Sequence, residues 1–273
     1  MAAEARVRSG VGGWLAHVTS ALASVWLPAG CRICEQLLTH ATRVPICDEC
    51  LASFEPVPRK ICEICGSPLR AFNEQADSRR LCPACQHKTY AFERVRSFAF
   101  YDRALVRAIL LLKFERIEPL GGWFAARLAE LAEREREALR ADVVVPVPLH
   151  RVREKERGYN QADLLAKPLA RRLRLPRQAV LLMRTRPRPD KRVLSLEERW
   201  ESVRGAFATR PGTQVDNRRV LLVDDVMTTG ATLDACSRAL LEAGAKSVIG
   251  LTVARAVRNP VAGFGEEDPR NAR

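Results

Sequence analysis

Two adjacent aspartates end an apolar run in residues 220–233, which read VLLVDDVMTTGATL. Carboxylates placed side by side accept hydrogen bonds from two vicinal hydroxyls, as on a ribose, or hold Mg²⁺ through water. The turn that follows leads into a helical pattern, where free backbone N–H groups, the helix dipole and hydroxyls form a cradle for a phosphate. Together these features predict a site for a 5-phosphorylated ribose. The residues concerned are Asp224, Asp225, Thr228, Thr229, Gly230 and Thr232.

Other interpretations of this stretch explain less of it. A strand followed by a capped helix would use the two aspartates only as solvated caps, and it requires neither two acids nor three threonines together. A P-loop would end in Gly-Lys-Ser or Gly-Lys-Thr, and a dinucleotide-binding fingerprint would carry more glycines. Residues 220–233 contain neither pattern.

Eight of the nine cysteines form four Cys-x-x-Cys pairs. Each such turn brings two thiolates to one cation, and two turns supply the four ligands of a closed tetrahedral site. The pattern predicts two structural zinc sites, with an iron–sulfur cluster or redox thiols as alternatives. Sequential pairing is the simplest arrangement, but the spacing also allows Cys47–Cys50 to join Cys62–Cys65. The predicted ligands are Cys31, Cys34, Cys47, Cys50, Cys62, Cys65, Cys82 and Cys85.

Three further side chains that could bind a metal are not expected to do so. His40 and His87 are surface residues in this interpretation, and Cys236 lies on an apolar helical face and is expected in the core.

Thiols of the metal-binding type favour a reducing compartment, so we expect a cytoplasmic protein. The leading segment 11–29 is expected to form an amphipathic helix packed on the protein, without stable membrane insertion. Contact with a membrane surface and a secretory signal are the alternatives.

Positive charge is concentrated in one part of the chain. The formal net charge is +13, and residues 151–210 hold 17 Lys/Arg against 7 Asp/Glu. Such a block indicates a site for an anion, either a phosphate, a pyrophosphate or a nucleic acid, rather than only a solvated surface. Aromatic residues are sparse in this block (Tyr159, Trp200 and Phe207), which limits stacking along many bases.

The elements that would position these residues follow from hydrophobic periodicity. From residue 142 onward, strands and helices alternate, which predicts a parallel α/β sheet with ligands at the carboxyl ends of its strands. Pro168 is expected to kink or interrupt a helix, and Ser195 with Glu198 forms a capping box. The predicted strands are 96–102, 142–149, 219–224 and 246–254, and the predicted helices are 103–114, 121–140, 158–174, 195–204 and 231–243.

Four features together resemble the ComF competence family. They are the cysteine pairs, VVPVPLHRVREKERGYNQA (143–162), LSLEERWESVRGAF (194–207) and the stretch 220–233, which resembles the phosphoribosyl pyrophosphate (PRPP) signature of type I phosphoribosyltransferases. The resemblance covers the chain from residue 31 to about 255. It implies a type I phosphoribosyltransferase-like parallel sheet flanked by helices and preceded by a small zinc-ribbon module. The expected parts are a leader helix (1–30), a double zinc ribbon (31–90), the transferase-like domain (91–255) and a flexible tail (256–273).

The resemblance also implies roles for individual residues. The two aspartates would bind the ribose hydroxyls, and the threonines with Gly230 would bind the 5-phosphate. The segment after VPVPLH would bind the pyrophosphate together with Mg²⁺, and the basic loop 184–192 would close over the site as a lid. The pyrophosphate candidates are Arg151, Lys155 and Arg157, and the catalytic candidates are Arg184, Arg186 and Lys191.

Two positions depart from the family pattern. Lys191 stands where the family has Gln, and Ser202 stands where it has Asn. These departures affect the expectation of catalysis more than that of PRPP binding, which rests on the intact motif.

Three functions fit these observations. The protein could transfer a phosphoribosyl group from PRPP to an unidentified acceptor. It could instead bind PRPP or single-stranded DNA in DNA uptake or repair, with the transferase fold as a binding module, or serve as a zinc-ribbon scaffold with an inactive transferase domain. The family context implies competence-linked DNA transfer, with PRPP, single-stranded DNA and DNA-uptake or repair proteins as partners.

Overall fold

A computed structural model describes residues 30–39, 42–69, 80–187 and 195–257 of the chain. The predicted leader up to residue 29, His40, Lys191 and the tail from residue 258 lie outside these residues. The chain divides into two compact units, Met1–Phe54 and Glu55–Arg273. The first four cysteines of the motif belong to the smaller unit, and the second four belong to the larger unit together with the sheet.

The predicted helices and strands occur in the predicted order along the chain, together with several short elements. In chain order the described elements are α1 Asp48–Ala52, α2 Pro83–Gln86, β1 Arg94–Phe100, α3 Arg103–Phe114, α4 Pro119–Arg134, β2 Val143–Pro146, α5 Arg151–Arg157, α6 Gln161–Leu173, β3 Leu182–Arg184, α7 Leu196–Glu201, β4 Phe207–Thr209, β5 Arg219–Met227, α8 Ala231–Glu242 and β6 Ser247–Arg255.

A four-stranded sheet in the order β1-β6-β5-β2 forms the centre of the larger unit, and all its neighbouring strands are parallel. Strands covered on both faces read as continuous apolar runs, and Val220–Val223 is such a run, buried throughout. The predicted parallel α/β sheet is therefore confirmed. Strand β5 extends to Met227, so that both aspartates lie within it, and Asp224 is in register with Thr252 of β6.

The predicted helix 158–174 corresponds to α6, which begins three residues later at Gln161, and the sequence patterns did not predict the separate helix α5 before it. Gly158 ends α5 with a φ of 78°, a conformation that costs glycine little. Asn160 then caps α6, and its side chain accepts a hydrogen bond from the Ala162 N–H. The chain therefore changes direction between the basic helix α5 and the apolar face of α6.

Pro168 lies inside α6, and the helix continues past it, so the expected interruption is wrong. A proline leaves the carbonyl four residues earlier without its helical donor. That carbonyl, on Leu164, lies against Gly121 of α4, where an added Cβ would be 2.7 Å from its oxygen. The absence of a side chain at Gly121 makes room for this close approach, and α4 packs along α6.

Three smaller features concern the end of α4, the predicted capping box and a pair of short strands. Helix α4 ends at Arg134, before the predicted residue 140. The capping box is confirmed: the Ser195 hydroxyl accepts from the Glu198 N–H, and the Glu198 carboxylate accepts from the Ser195 N–H. Strands β3 and β4, which were not predicted, form an antiparallel pair. Arg184 belongs to β3 rather than to the predicted loop 184–192.

None of the helices in the described ranges has both the length and the apolar character that a membrane span requires.

Candidate functional site

The eight motif cysteines form two separate groups. Within each group the four sulfur atoms lie within 4.8 Å of one another. A tetrahedral zinc site with Zn–S bonds of about 2.3 Å places its sulfurs roughly 3.8 Å apart, and the separations Cys34–Cys47 (3.6 Å) and Cys65–Cys82 (3.5 Å) fit it. Sequential pairing is thus confirmed over the interleaved arrangement. The first cluster is Cys31, Cys34, Cys47 and Cys50, and the second cluster is Cys62, Cys65, Cys82 and Cys85.

Backbone N–H groups point at the sulfurs of the first cluster. The N–H of Cys47 donates to the Cys31 sulfur over 3.3 Å, and that of Ile33 does so over 3.5 Å. Burial raises the pKa of the Cys31 thiol, but the N–H groups of Cys34, Cys47 and Ile33 outweigh it and lower the pKa to about 6. At Cys31 the N–H groups therefore favour the thiolate, the form that binds a metal.

The two aspartates are buried near the carboxyl end of β5. Oδ1 of Asp224 accepts a hydrogen bond from the Asp225 N–H over 2.9 Å. The Lys113 ammonium, from the end of α3, lies 3.0 Å from Asp225 Oδ1. The other oxygen, Asp225 Oδ2, is buried and has no partner among the described residues. A buried carboxylate oxygen without a donor is costly, and its presence indicates a place where a ligand hydroxyl or a hydrated cation belongs.

The phosphate turn, residues 228–232, lies directly after β5 and runs into α8. Gly230 has a φ of 83°, and a Cβ there would lie 3.0 Å from the Met227 side chain and 3.2 Å from the Tyr90 ring. Glycine is therefore required both by the backbone conformation and by the lack of space. The Thr229 hydroxyl accepts from the Ala231 N–H over 3.3 Å. The turn thus presents the amino end of α8 beside the two carboxylates.

The three candidates on α5 are placed differently from one another. Arg157 is half-buried, donates to Gln161 over 2.8 Å and covers the Phe114 ring. Burial lowers the pKa of the Arg157 guanidinium, while the nearby negative charge of Asp225 raises it. Arg151 and Lys155 are exposed, and no ion pair joins either of them to the aspartates within the described residues. Among the three candidates, Arg157 is the one whose charge interacts with Asp225.

Of the catalytic candidates, the structure describes Arg184 and Arg186. The Arg184 side chain donates to the carbonyl of Arg186 over 2.9 Å and covers the Phe207 ring. Arg184 is the last residue of β3 and Arg186 lies two residues further along the chain, so both fall in the first part of the predicted lid 184–192. Whether the lid acts in catalysis stays a prediction.

Lys113 is a site residue that the sequence did not reveal. It is the one basic residue in the last turn of α3, and helical periodicity marks it only as the polar end of an apolar stripe. In the folded chain this end of α3 lies near the carboxyl end of β5, where the Lys113 ammonium contacts Asp225. No local signal in the sequence carries that information.

Comparison with known proteins agrees with this architecture. A family model described as a phosphoribosyl transferase domain matches residues 161–261. The chain is 31% identical to the DNA utilization protein YhgH of Escherichia coli (strain K12) over 225 residues, which cover 81% of this chain and 95% of that protein. It is 29% identical to Competence protein F of Haemophilus influenzae (80% and 93% covered) and 27% identical to Competence protein ComFC of Bacillus subtilis (77% and 84% covered).

Among solved structures, the Bacillus subtilis glutamine PRPP amidotransferase shares 24% identity with this chain, over 50% of this chain and 26% of that one, with a TM-score of 0.34. That overlap is too small to support an argument about the site. The relatives matched over most of their length, the phosphoribosyl transferase domain and the two cysteine clusters lead to one conclusion. The chain belongs to the ComF family of competence proteins.

Proposed function

We propose that this protein binds PRPP together with Mg²⁺ at the carboxyl end of β5, and that it does so in competence-linked handling of DNA. The observation that carries the proposal is the unpartnered oxygen of Asp225, buried next to the phosphate turn. A ribose hydroxyl satisfies that oxygen while the 5-phosphate lies on the turn. One ligand thereby uses both halves of the motif.

Each part of the ligand meets groups of matching chemistry. The carboxylates of Asp224 and Asp225 accept from the ribose hydroxyls, and the N–H groups at the start of α8 donate to the 5-phosphate. Lys113 and Arg157 supply fixed positive charge for the pyrophosphate. Mg²⁺ would be held by the aspartates through water and by the ligand's oxygens, and it would neutralise charge on the pyrophosphate.

Calorimetric titration with PRPP tests this proposal. We expect one PRPP bound per chain in the presence of Mg²⁺, and weaker binding when Mg²⁺ is omitted. Ribose 5-phosphate, which lacks the pyrophosphate, should bind at the same site but more weakly. Absence of binding at millimolar PRPP with Mg²⁺ would contradict the proposal. A screen for pyrophosphate release over nucleobases, amines and single-stranded DNA then asks separately whether an acceptor exists.

A second function, direct binding of single-stranded DNA, is favoured by the exposed charge on α5 and α6. One relative is named a DNA utilization protein. Exposed basic residues in these helices and just after them offer contacts to phosphates, and they are Arg151, Lys155, Lys167, Arg171, Arg172 and Arg174. Such contacts act through charge and carry no sequence preference.

The salt dependence of DNA binding tests this second function. The logarithm of the association constant should fall with the logarithm of salt concentration, with a slope of about −0.7 for each neutralised phosphate on a single strand. Changing Arg171 and Arg172 to Gln should weaken binding and reduce the slope. The same change at Arg103 and Arg107, exposed on α3, is the matched control. A slope near zero, or equal effects of both pairs, would contradict direct binding through α6.

We also propose that both clusters hold zinc and that the protein works in the reducing cytoplasm. The sulfur spacing supports zinc because it matches a tetrahedral site with four thiolate ligands. Thiolate clusters of this kind persist where disulfides do not form. The division into a leader, a double ribbon, a transferase-like domain and a tail stays part of this proposal.

A further inference from the structure

One buried arginine joins the second cluster to the phosphate turn. Arg255 is the last residue of β6 and is 7% exposed. Its Nη1 donates to the carbonyls of Met227 (3.2 Å) and Thr228 (2.5 Å), at the start of the turn. Its Nη2 donates to the Ser67 hydroxyl over 2.7 Å and lies 3.9 Å from the sulfur of Cys65, a member of the second cluster. The guanidinium of Arg255 therefore contacts both the phosphate turn and the second cluster.

The chain that leaves the second cluster makes a further link to the turn. The Tyr90 hydroxyl lies 3.5 Å from the Thr229 carbonyl, and its ring stacks on Phe92 at 4.6 Å. The Ala91 N–H donates to the Asp234 carboxylate in the first turn of α8 over 2.7 Å. Both the middle of the turn and the helix that follows are thus held by the segment after Cys85.

These contacts determine the direction of the backbone groups in the turn. A carbonyl that accepts from a fixed guanidinium holds its peptide plane, and the N–H of the next residue points the opposite way. Four thiolates outweigh the two charges of a zinc ion, so the loaded second cluster attracts the guanidinium. Loss of the metal would free the Cys65–Ser67 knuckle on which Arg255 rests.

We propose that Arg255 is a positioning residue through which the second cluster holds the phosphate turn in the conformation that binds a 5-phosphate. The identity of the ligand rests on the proposed function. The role of Arg255 in holding the turn does not depend on it. The zinc-ribbon segment thus has a role beyond stabilising its own fold, because it organises a loop about 160 residues further along the chain.

The test combines hydrogen exchange with binding on the zinc-loaded, full-length protein. Arg255→Met should increase amide exchange in residues 227–232 by about tenfold or more, with zinc content unchanged because Arg255 is not a metal ligand. Arg255→Lys keeps the positive charge but loses the planar set of N–H donors of the guanidinium, and it should restore part of the protection. Arg238→Met is the control, since Arg238 is exposed on α8 and pairs with Asp234 over 2.9 Å.

Binding measurements separate positioning from a general loss of structure. In Arg255→Met the dissociation constant of PRPP should rise about tenfold or more, while that of inorganic pyrophosphate, which meets Lys113 and Arg157, should stay within about twofold. Equal weakening of both ligands would overturn the proposal. The proposal would also be overturned if amide exchange in residues 227–232 is unchanged in Arg255→Met, or if Arg238→Met increases that exchange as much as Arg255→Met does.

A milder variant decides the question if Arg255→Met fails to fold. Ser67→Ala removes only the hydroxyl that holds Nη2, and it should raise exchange in residues 227–232 by about threefold, in keeping with the loss of one ordinary hydrogen bond. No change in Ser67→Ala would then overturn the proposal. If the unaltered protein does not bind PRPP, the proposed function fails, but the exchange measurements still decide the role of Arg255.

Discussion

Replacement of both Asp224 and Asp225 by asparagine is expected to raise the dissociation constant of PRPP in the presence of Mg²⁺ by about 100-fold or more. Hydrogen bonds to a charged acceptor contribute roughly 1.5–3 kcal/mol each, and the double change removes the charge from both acceptors. It also removes the carboxylates that would hold Mg²⁺ through water. Calorimetry on the unaltered and doubly changed proteins, at equal Mg²⁺, measures the effect.

The double variant should also be less stable than the unaltered protein. Asp225→Asn removes the anionic partner of the Lys113 ammonium, 3.0 Å from Asp225 Oδ1, so we expect the free energy of unfolding to fall. Asp142→Asn is the matched control: Asp142 lies at the opposite end of β5 and accepts from the Arg219 N–H over 2.8 Å. That change should lower stability slightly and leave PRPP affinity intact. Undiminished PRPP binding by the double variant would contradict the site.

Loss of the second cluster should have the largest effect on stability. Cys85→Ser leaves three buried thiols and a hydroxyl next to Phe92 and Val95 in the core. In small zinc domains the binding free energy of the metal, about 10–16 kcal/mol, is also folding free energy, so we expect this variant to lose one zinc per chain and unfold residues 61–69 and 80–93 at ambient temperature. Metal analysis and hydrogen exchange measure the two effects.

The ninth cysteine provides the control for this experiment. Cys236 is fully buried on α8, burial raises the pKa of its thiol well above the usual value, and it belongs to neither cluster. Cys236→Ala should cost stability through a small cavity, about 1–2 kcal/mol, and should retain two zinc ions per chain. An unaltered protein with fewer than two zinc ions, or Cys85→Ser with an unchanged zinc content, would refute the assignment.

The main elements of the site could be predicted because their signals are local. A buried parallel strand, two acids and a glycine before a helix occur within residues 220–233, and the sequence predicted that they lie at the carboxyl edge of the sheet. The pairing of the cysteines could not be decided in the same way. Spacings of similar length allowed two arrangements, and only the folded chain brings Cys31 to Cys47 and Cys65 to Cys82.

The residues that sequence reasoning missed depend on contacts between distant parts of the chain. Lys113 reaches Asp225 across 112 residues, and Arg255 reaches Cys65 across 190. Pro168 was expected to interrupt a helix, but the glycine that accommodates its effect, Gly121, lies on a different helix. The antiparallel strands β3 and β4 have only three residues each, too few for a reliable period-two pattern.

A crystal structure of the protein with PRPP and Mg²⁺ would show the ligand in its site. We expect the 5-phosphate within hydrogen-bond distance of the backbone N–H groups of residues 228–232, with the ribose hydroxyls on Asp224 and Asp225. The Lys113 ammonium should have turned from Asp225 to the pyrophosphate. A ligand bound instead on the basic surface of α6, or an empty phosphate turn at saturating PRPP, would contradict this expectation.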